Sequence, residues 1–298
     1  MSTHDFMAQA IMAAHASLAL PVQTSDPTHF SSEAPVYRAA KQACLALGFI
    51  EIDAECLANA WQAMSTRTGQ FNATDWPDQA QDFGMRPWPR NDAFAACPKK
   101  LGLYAVLPDA AWVGRMARAG VPTVQLRFKS DDAQAIEAEI RAAVQTVQGT
   151  GALLFINDHW QAAIAAGAYG VHLGQEDMAE ADIQTIRTAG LRLGLSSHGY
   201  AEMLRADAFS PSYMALGAVF PTTLKRMQTA PQGTGRLHAY AQLMQDYPLV
   251  AIGGIDSNRL PEVLSNDIGS VAVVRALVTA DNPEAMAASL QAAISAKR

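Results

Sequence analysis

Hydrophobic residues follow one pattern in the first third of the chain and another in the rest. From about residue 99 onward, short apolar runs alternate with alanine-rich stretches of helical periodicity. The runs predict eight strands, over residues 101–106, 123–127, 153–157, 170–173, 191–196, 213–218, 249–253 and 270–274. The stretches between them predict helices such as 110–119, 133–147, 179–189 and 283–296.

Strands that are apolar on both faces and alternate with helices are typical of a parallel sheet covered by helices. Eight such pairs within about 200 residues predict closure of the sheet into a (β/α)8 TIM barrel. We therefore predict an α/β protein with its barrel over residues 99–298. An open doubly wound sheet is the other interpretation, but no G-x-G-x-x-G motif follows the first strand.

Residues 1–98 predict helices and no strands. Asp53 is expected to cap one helix, and a second is expected over 36–47, ending at Gly48. The apolar stretch 6–20 predicts an amphipathic helix rather than a signal peptide, because Asp5 precedes it and no Lys or Arg occurs before Arg38. Prolines over 75–100 predict an irregular connector. We expect a mainly helical N-terminal region, 1–98, of unknown function.

Composition narrows the classes of partner. A formal net charge of −6 argues against a broad basic surface for nucleic acid or for anionic membranes. The three cysteines lack C-x-x-C spacing or a nearby histidine pattern for zinc, so reduced thiols in a cytoplasmic protein are expected. Small molecules are the expected partners, and homo-oligomerisation is left open.

Polar residues cluster where the predicted strands two, three and four end. Arg127 and Lys129 alternate along the chain and present two cations to one side. Asp158 and Asp177 follow the next two strands, and Mg²⁺ typically takes one or two carboxylates together with substrate phosphate oxygens. Each residue alone has an ordinary explanation, a solvated strand end or a helix cap. In a barrel all of them meet at one rim, which favours a metal and phosphate site.

The later strands end in groups suited to bind phosphate. Ser196 lies at the end of the fifth strand, Lys225 lies in the loop after the sixth, and glycines at 253 and 254 let backbone N–H groups approach a ligand. Turn chemistry explains the serines almost as well. His172 is expected to be a hydrogen-bonded residue of the barrel interior, and the role of His198 is undecided. Residues Trp61, Trp76 and Trp88 are expected to pack in the core.

Five motifs in register carry a resemblance to a known family. They are V-Q-L-R-F-K at 124–129, I-N-D at 156–158, G-V-H-L-G-Q-E-D at 170–177, G-L-S-S-H at 194–198 and A-I-G-G-I at 251–255. Together they resemble the thiamine-phosphate synthases over about residues 100–298. The resemblance implies a TIM-barrel transferase that joins 4-amino-2-methyl-5-(diphosphooxymethyl)pyrimidine to 4-methyl-5-(2-phosphooxyethyl)thiazole in thiamine biosynthesis. The products would be thiamine phosphate and pyrophosphate.

The resemblance also implies a role for each matching position. The pyrimidine diphosphate would be held by Gln125, Arg127, Lys129, Asn157, Ser196 and Lys225. Magnesium would be held by Asp158 and Asp177, while Lys129, Lys225 and Arg127 would stabilise the departing pyrophosphate in a dissociative reaction. The thiazole phosphate would lie against Thr222, Gly254, Val274 and Arg275.

Two positions depart from the family pattern. The usual loop P-T-x-T-K reads P-T-T-L-K here, so Leu224 replaces a hydroxyl and Thr223 substitutes for it only if the loop shifts. Arg275 replaces a common serine and is expected to pair with the phosphate as a bidentate fork. A thiazole tautomerase and a non-catalytic precursor sensor remain alternatives. The N-terminal region is a dimerisation element, a docking surface or a remnant of a fused thiamine-pathway enzyme.

Overall fold

The computed structural model describes residues 2–22, 29–222, 229–266 and 268–296. Eight strands form a closed barrel in chain order, and each neighbouring pair is parallel, including β8 with β1. The strands are β1 (Gly102–Leu107), β2 (Thr123–Leu126), β3 (Leu153–Asn157), β4 (Gly170–Leu173), β5 (Arg192–Ser197), β6 (Tyr213–Leu216), β7 (Leu249–Ala251) and β8 (Ser270–Val273). The predicted TIM barrel is confirmed, with strand ends shifted by at most two residues.

Helices cover the outside of the barrel and build the N-terminal part. The N-terminal helices are α1 (Thr3–Ala14), α2 (Pro35–Ala46) and α3 (Glu51–Thr68), with 3-10 helices over Ala16–Leu18 and Ala80–Phe83. Those of the barrel are α4 (Ala110–Arg118), α5 (Ala133–Thr146), α6 (Trp160–Ala166), α7 (Gln175–Glu180), α8 (Ile183–Thr188), α9 (Tyr200–Asp207), α10 (Gly233–Leu243), α11 (Leu260–Leu264), α12 (Arg275–Val278) and α13 (Pro283–Ala296). In the described ranges, no helix has the length and apolar content needed to cross a membrane.

Side chains fill the barrel interior, so it is a core and not a pore. Tyr104, Phe155 and Tyr213 are fully buried there. Glycines on the neighbouring strands make room for two of these rings: a Cβ on Gly194 would lie 2.1 Å from the Tyr213 ring, and one on Gly170 2.5 Å from that of Phe155. Large and small residues thus alternate across the interior, as the taper of a small barrel requires.

The N-terminal part packs on the barrel as well as on itself. One buried cluster, which includes Tyr37 and Trp61, lies among α1, α2 and α3. Residues such as Phe49 and Leu57 belong instead to the cluster that surrounds the barrel. Trp61 is fully buried, and Trp76 and Trp88 pack against that larger cluster, which confirms the expected packing role.

Two sequence predictions about helices are wrong. Asp53 does not cap its own helix: α3 begins at Glu51, and Asp53 lies buried inside its first turn. The helix predicted over 179–189 is two helices, because Ala181 is extended and Asp182 caps α8 by accepting a hydrogen bond from Thr185 N at 2.9 Å.

Candidate active site

A cavity of about 780 Å³ opens at the carboxyl ends of the strands, and residues at or after all eight strands line it. Eleven of the residues singled out in the sequence meet there: Gln125, Arg127, Lys129, Asn157, Asp158, Asp177, Ser196, Thr222, Gly254, Val274 and Arg275. Thr223, Leu224 and Lys225 lie outside the described residues. The topology explains the convergence, because parallel strands in a closed barrel all end at one rim.

Two carboxylates and one ammonium form the most charged part of the cavity. Lys129 Nζ donates to Asp158 Oδ2 at 2.8 Å. Asp158 has a φ of 65°, which Asp tolerates better than most residues, and its backbone N–H donates to His172 O at 3.0 Å. Burial and the negative charge of Asp158 raise the pKa of Asp177. The two carboxylates therefore repel each other, and a cation between them would relieve that repulsion.

The chemistry of this pair fits magnesium rather than a metal held entirely by protein. No set of three or more His, Cys, Asp or Glu side chains suited to a metal occurs in the described part of the chain. Two carboxylates are the usual protein share for Mg²⁺, which keeps waters and takes further oxygens from substrate phosphates. Asp158, directly after β3, and Asp177, in the first turn of α7 after β4, supply that share.

Hydrogen-bonded side chains connect the floor of the cavity to the barrel interior. Gln125 Nε2 donates to Asn157 Oδ1 at 2.8 Å, and Tyr104 Oη donates to Gln125 Oε1 at 2.8 Å. Tyr104 Oη lies 2.7 Å from Tyr213 Oη. The contacts continue from Tyr213 Oη to His172 Nδ1 at 2.7 Å and from His172 Nε2 to Ser196 Oγ at 2.8 Å. We call these six side chains the interior polar chain: Asn157, Gln125, Tyr104, Tyr213, His172 and Ser196.

The bond at the Gln125 end sets the direction of the interior polar chain as far as His172. Because the Tyr104 hydroxyl proton is donated to Gln125, Tyr213 must donate in the bond between the two tyrosines, and Tyr213 must then accept from His172 Nδ1. When the imidazole is neutral its other nitrogen accepts, and Ser196 Oγ is then the donor to His172 Nε2. Within the described residues, that arrangement leaves the lone pairs of Ser196 Oγ and the amide N–H groups of Asn157 for a ligand. His172 is buried and hydrogen-bonded in the interior, as predicted.

The other side of the cavity is built mainly from backbone. Gly253 and Gly254 have φ values of 106° and 64°, a region that favours glycine. A Cβ on Gly254 would lie 2.5 Å from Pro221 O, so only glycine allows this close approach of two loops. Arg259 Nη1 donates to Gly254 O at 2.7 Å and its guanidinium lies 4.8 Å from the Phe220 ring centroid.

Three arginines that line the cavity have no acidic partner within the described ranges. Arg127 and Arg259 are half-buried and Arg275 is exposed, and the strands that precede Arg127 and Arg275 both pair with β1. Lys129, by contrast, is already paired with Asp158. Guanidinium groups without carboxylate partners, at separate points of a cavity wall, suit a ligand or ligands with more than one anionic group.

Sequence reasoning missed several residues in the cavity and in the barrel interior. Arg259, which lines the cavity, and the buried Tyr104 and Tyr213 belong to no motif, and only the strand alternation could have turned the tyrosines inward. His198, left undecided above, lines the cavity, and its Nδ1 lies 2.6 Å from Glu202 Oε2. The spacing of four residues between these two at a helix start was the signal that could have found the pair.

Fold and site together define a (β/α)8-barrel protein with a charged candidate active site at the carboxyl rim. The family model described as thiamine monophosphate synthase matches residues 103–277. The chain belongs to this enzyme family, which confirms the resemblance seen in its motifs.

Similar proteins match about two thirds of the chain. The thiamine-phosphate synthase of Neisseria meningitidis serogroup B is 52% identical over 199 residues, which cover 67% of this chain and 97% of the relative. That of Serratia proteamaculans is 48% identical over 204 residues, 68% of this chain and 96% of the relative. The solved thiamine phosphate pyrophosphorylase of Pyrococcus furiosus is 26% identical with a TM-score of 0.60, over 67% of this chain and 98% of that structure.

Proposed function

We propose that this chain is a thiamine-phosphate synthase. It would join 4-amino-2-methyl-5-(diphosphooxymethyl)pyrimidine to 4-methyl-5-(2-phosphooxyethyl)thiazole, giving thiamine phosphate and pyrophosphate. Family membership and the near-complete coverage of two relatives with that name support the proposal. The observation that carries it is the meeting of Gln125, Arg127, Lys129, Asn157, Asp158 and Asp177 in one cavity.

The anionic end of the pyrimidine substrate would lie between the carboxylate pair and the nearby cations. Asp158 and Asp177 would hold Mg²⁺, which when bound supplies positive charge against the diphosphate. Arg127 and Lys129 face the same space, and Lys225 would join them from the loop after β6. These cations favour departure of pyrophosphate because they stabilise negative charge as it develops.

The reaction would begin with cleavage of the pyrimidine C–O bond. The resulting pyrimidinylmethyl cation is stabilised by resonance, and the thiazole nitrogen then attacks it. No covalent nucleophile is needed, so the protein's work is to align two substrates and to stabilise charge.

The polarity of the interior polar chain supports an aminopyrimidine as the first substrate. With a neutral His172, Ser196 Oγ would donate to His172 Nε2 and would be left as an acceptor that suits an exocyclic amino group. The Asn157 amide, whose Oδ1 accepts from Gln125, offers N–H groups that suit a ring nitrogen. A pyrimidine that carries one amino group beside a ring nitrogen presents this donor and acceptor together.

The thiazole phosphate would lie on the opposite wall, against Thr222, Gly254, Val274 and Arg275. Glycine backbone gives the phosphate close access to N–H groups, and Arg275 adds a guanidinium. Arg275 would thus bind the phosphate through its guanidinium, at the position where the usual pattern of the family has a serine.

Direct synthesis tests the proposal. The purified full chain is mixed with both phosphorylated precursors, with and without Mg²⁺, and thiamine phosphate and pyrophosphate are measured together. We expect the two products in equal amounts, and only when Mg²⁺ is present. Binding of both precursors without turnover would contradict the proposal and support a sensor, whereas conversion of the thiazole alone would support an isomerase.

A further inference from the structure

The extension, by which we mean residues 2–97 as far as they are described, contacts two barrel helices that adjoin the candidate site. Those helices are α9, which follows β5 and its Ser196, and α10, which follows the loop that contains Thr222. Helix α3 packs on α9, and the 3-10 helix Ala16–Leu18 packs on α10. The extension therefore touches the barrel behind two of the loops that form the rim.

Asp53 of the extension caps α9. Gly199, the N-cap residue of α9, has no side chain to accept a hydrogen bond from the first turn. Asp53 Oδ1 accepts instead from Ala201 N at 2.8 Å, across 148 residues of sequence. A side-chain oxygen at this place satisfies a backbone N–H that the helix leaves without a partner.

The barrel has a shape that admits this carboxylate. A Cβ on Gly199 would lie 2.0 Å from Asp53 Oδ2, so the space that a side chain at 199 would take is filled by Asp53. The carboxylate is 4% exposed, and burial raises its pKa to about 6. Its burial costs free energy that the hydrogen bond from α9 partly offsets.

The capped turn leads directly into the site. Glu202, in the first turn of α9, accepts from His198 N at 2.8 Å. His198 and Ser196 line the cavity immediately before Gly199. A fixed first turn of α9 therefore fixes the backbone that presents Ser196 to a ligand.

A second contact holds α10 in a similar way. Arg236 is 3% exposed, and its Nε and Nη2 donate to Leu18 O at 3.0 Å and to Leu47 O at 2.9 Å. Its guanidinium lies 3.6 Å from the Phe49 ring centroid. The start of α10 is thereby attached to the extension by charged hydrogen bonds and by stacking.

The Neisseria meningitidis relative has no counterpart of this length, since 97% of it is matched by 67% of this chain. We propose that the extension is an intramolecular brace, and that Asp53 is a positioning residue that sets the β5–α9 turn and, through it, Ser196. The substrate assigned to Ser196 rests on the proposed function, whereas the placement of the turn does not.

Three full-length variants test this positioning role. Asp53→Ala removes the cap, Asp53→Asn keeps an acceptor oxygen, and Glu55→Ala is the matched control. Glu55 lies on the same helix, but its partners Ser31, Tyr37, Lys41 and Asn59 all belong to the extension. The control therefore weakens the extension without removing a bond to α9.

Hydrogen exchange measures directly how well the backbone amides of the β5–α9 turn are protected. We expect peptides covering 196–206 to exchange roughly 3- to 30-fold faster in Asp53→Ala, the range that corresponds to loss of a side-chain cap. Asp53→Asn should restore slow exchange, and Glu55→Ala should leave these peptides unchanged. Unchanged exchange in Asp53→Ala, or an equal rise in Glu55→Ala, would overturn the proposal whether or not the chain makes thiamine phosphate.

Steady-state kinetics separates positioning from general destabilisation. In Asp53→Ala we expect the KM for the pyrimidine diphosphate to rise several-fold more than the KM for the thiazole phosphate, because Ser196 faces the pyrimidine. Gly199→Ala approaches the same contact from the barrel and should give the same asymmetry. Equal changes in both KM values, without rescue by Asp53→Asn, would show that Asp53 only stabilises the fold.

Discussion

The two halves of the barrel rim present chemistry to the cavity by different means. From β2 to β5 the groups are side chains such as Gln125, Asn157 and Ser196, which are hydrogen-bonded through the barrel interior. From β6 to β8 the wall consists largely of backbone, with Gly253 and Gly254 at positive φ and one exposed arginine, Arg275. In the first half, hydrogen bonds between side chains determine which atoms donate and which accept. In the second half, the glycines leave space for a ligand close to backbone N–H groups.

This difference suits two kinds of ligand. A flat heterocycle is distinguished by the order of donors and acceptors at its edge, which a connected network of side chains can hold in one arrangement. A phosphate accepts from any direction and needs close access to N–H groups and positive charge, which glycine backbone and a guanidinium supply. Substitutions in the two halves should therefore affect the two substrates differently.

The largest effect is expected at the carboxylate pair. Asp158→Ala should lower kcat roughly 10²- to 10³-fold, because the charge that it holds against the leaving pyrophosphate would be lost. Lys129 would also lose its partner at 2.8 Å. Initial rates of pyrophosphate release at saturating Mg²⁺ measure this effect.

Glu176→Gln is the control for this change, since Glu176 lies in the same cavity wall beside Asp177 and is exposed. It removes one negative charge from the cavity without touching the proposed metal ligands. Asp158→Ala with a rate near that of Glu176→Gln would argue against a metal role for the pair.

An intermediate effect, confined to one substrate, is expected at Arg275. Arg275→Ala should raise the KM for the thiazole phosphate roughly 10- to 100-fold, the loss expected for charge-assisted hydrogen bonds. The KM for the pyrimidine diphosphate should change little. Arg115→Ala, which removes an arginine paired with Glu284 on the outer surface, is the control. If Arg275→Ala raised only the KM for the pyrimidine diphosphate, the assignment of Arg275 to the thiazole phosphate would be wrong.

The sequence predicts the fold and most of the rim for one physical reason. Parallel strands of a barrel end at one face, so polar residues at strand ends such as Arg127, Asp158 and Asp177 must converge. Strand boundaries shift by a residue or two without consequence: β2 ends at Leu126, yet Arg127 N still donates to Leu107 O at 2.8 Å. The departure at Leu224 falls outside the described residues.

Contacts between residues that are far apart in the sequence could not be predicted in the same way. Asp53 has the chemistry of a helix cap, but the backbone N–H that it accepts from, that of Ala201 in α9, lies 148 residues later, and no periodicity identifies that partner. Tyr104 and Tyr213 meet across 109 residues in the barrel interior. Alternation can turn each tyrosine inward, whereas the facing pair depends on how all eight strands stagger.

The smallest effect, and the one that tests the connected half of the rim most directly, is expected at Tyr213. Tyr213→Phe removes the hydroxyl that joins Tyr104 to His172, so the acceptor character of Ser196 is no longer enforced. We expect the KM for the pyrimidine diphosphate to rise about three- to tenfold, the range for one net hydrogen bond, with the KM for the thiazole phosphate unchanged. Tyr247→Phe makes the same change at a buried tyrosine bonded to Asp207 and Arg90, away from the rim. If both variants lowered the melting temperature alike but only Tyr213→Phe raised the KM for the pyrimidine diphosphate, the interior polar chain would be a recognition element. If the two variants had equal KM values for that substrate, the interior polar chain would contribute only to packing.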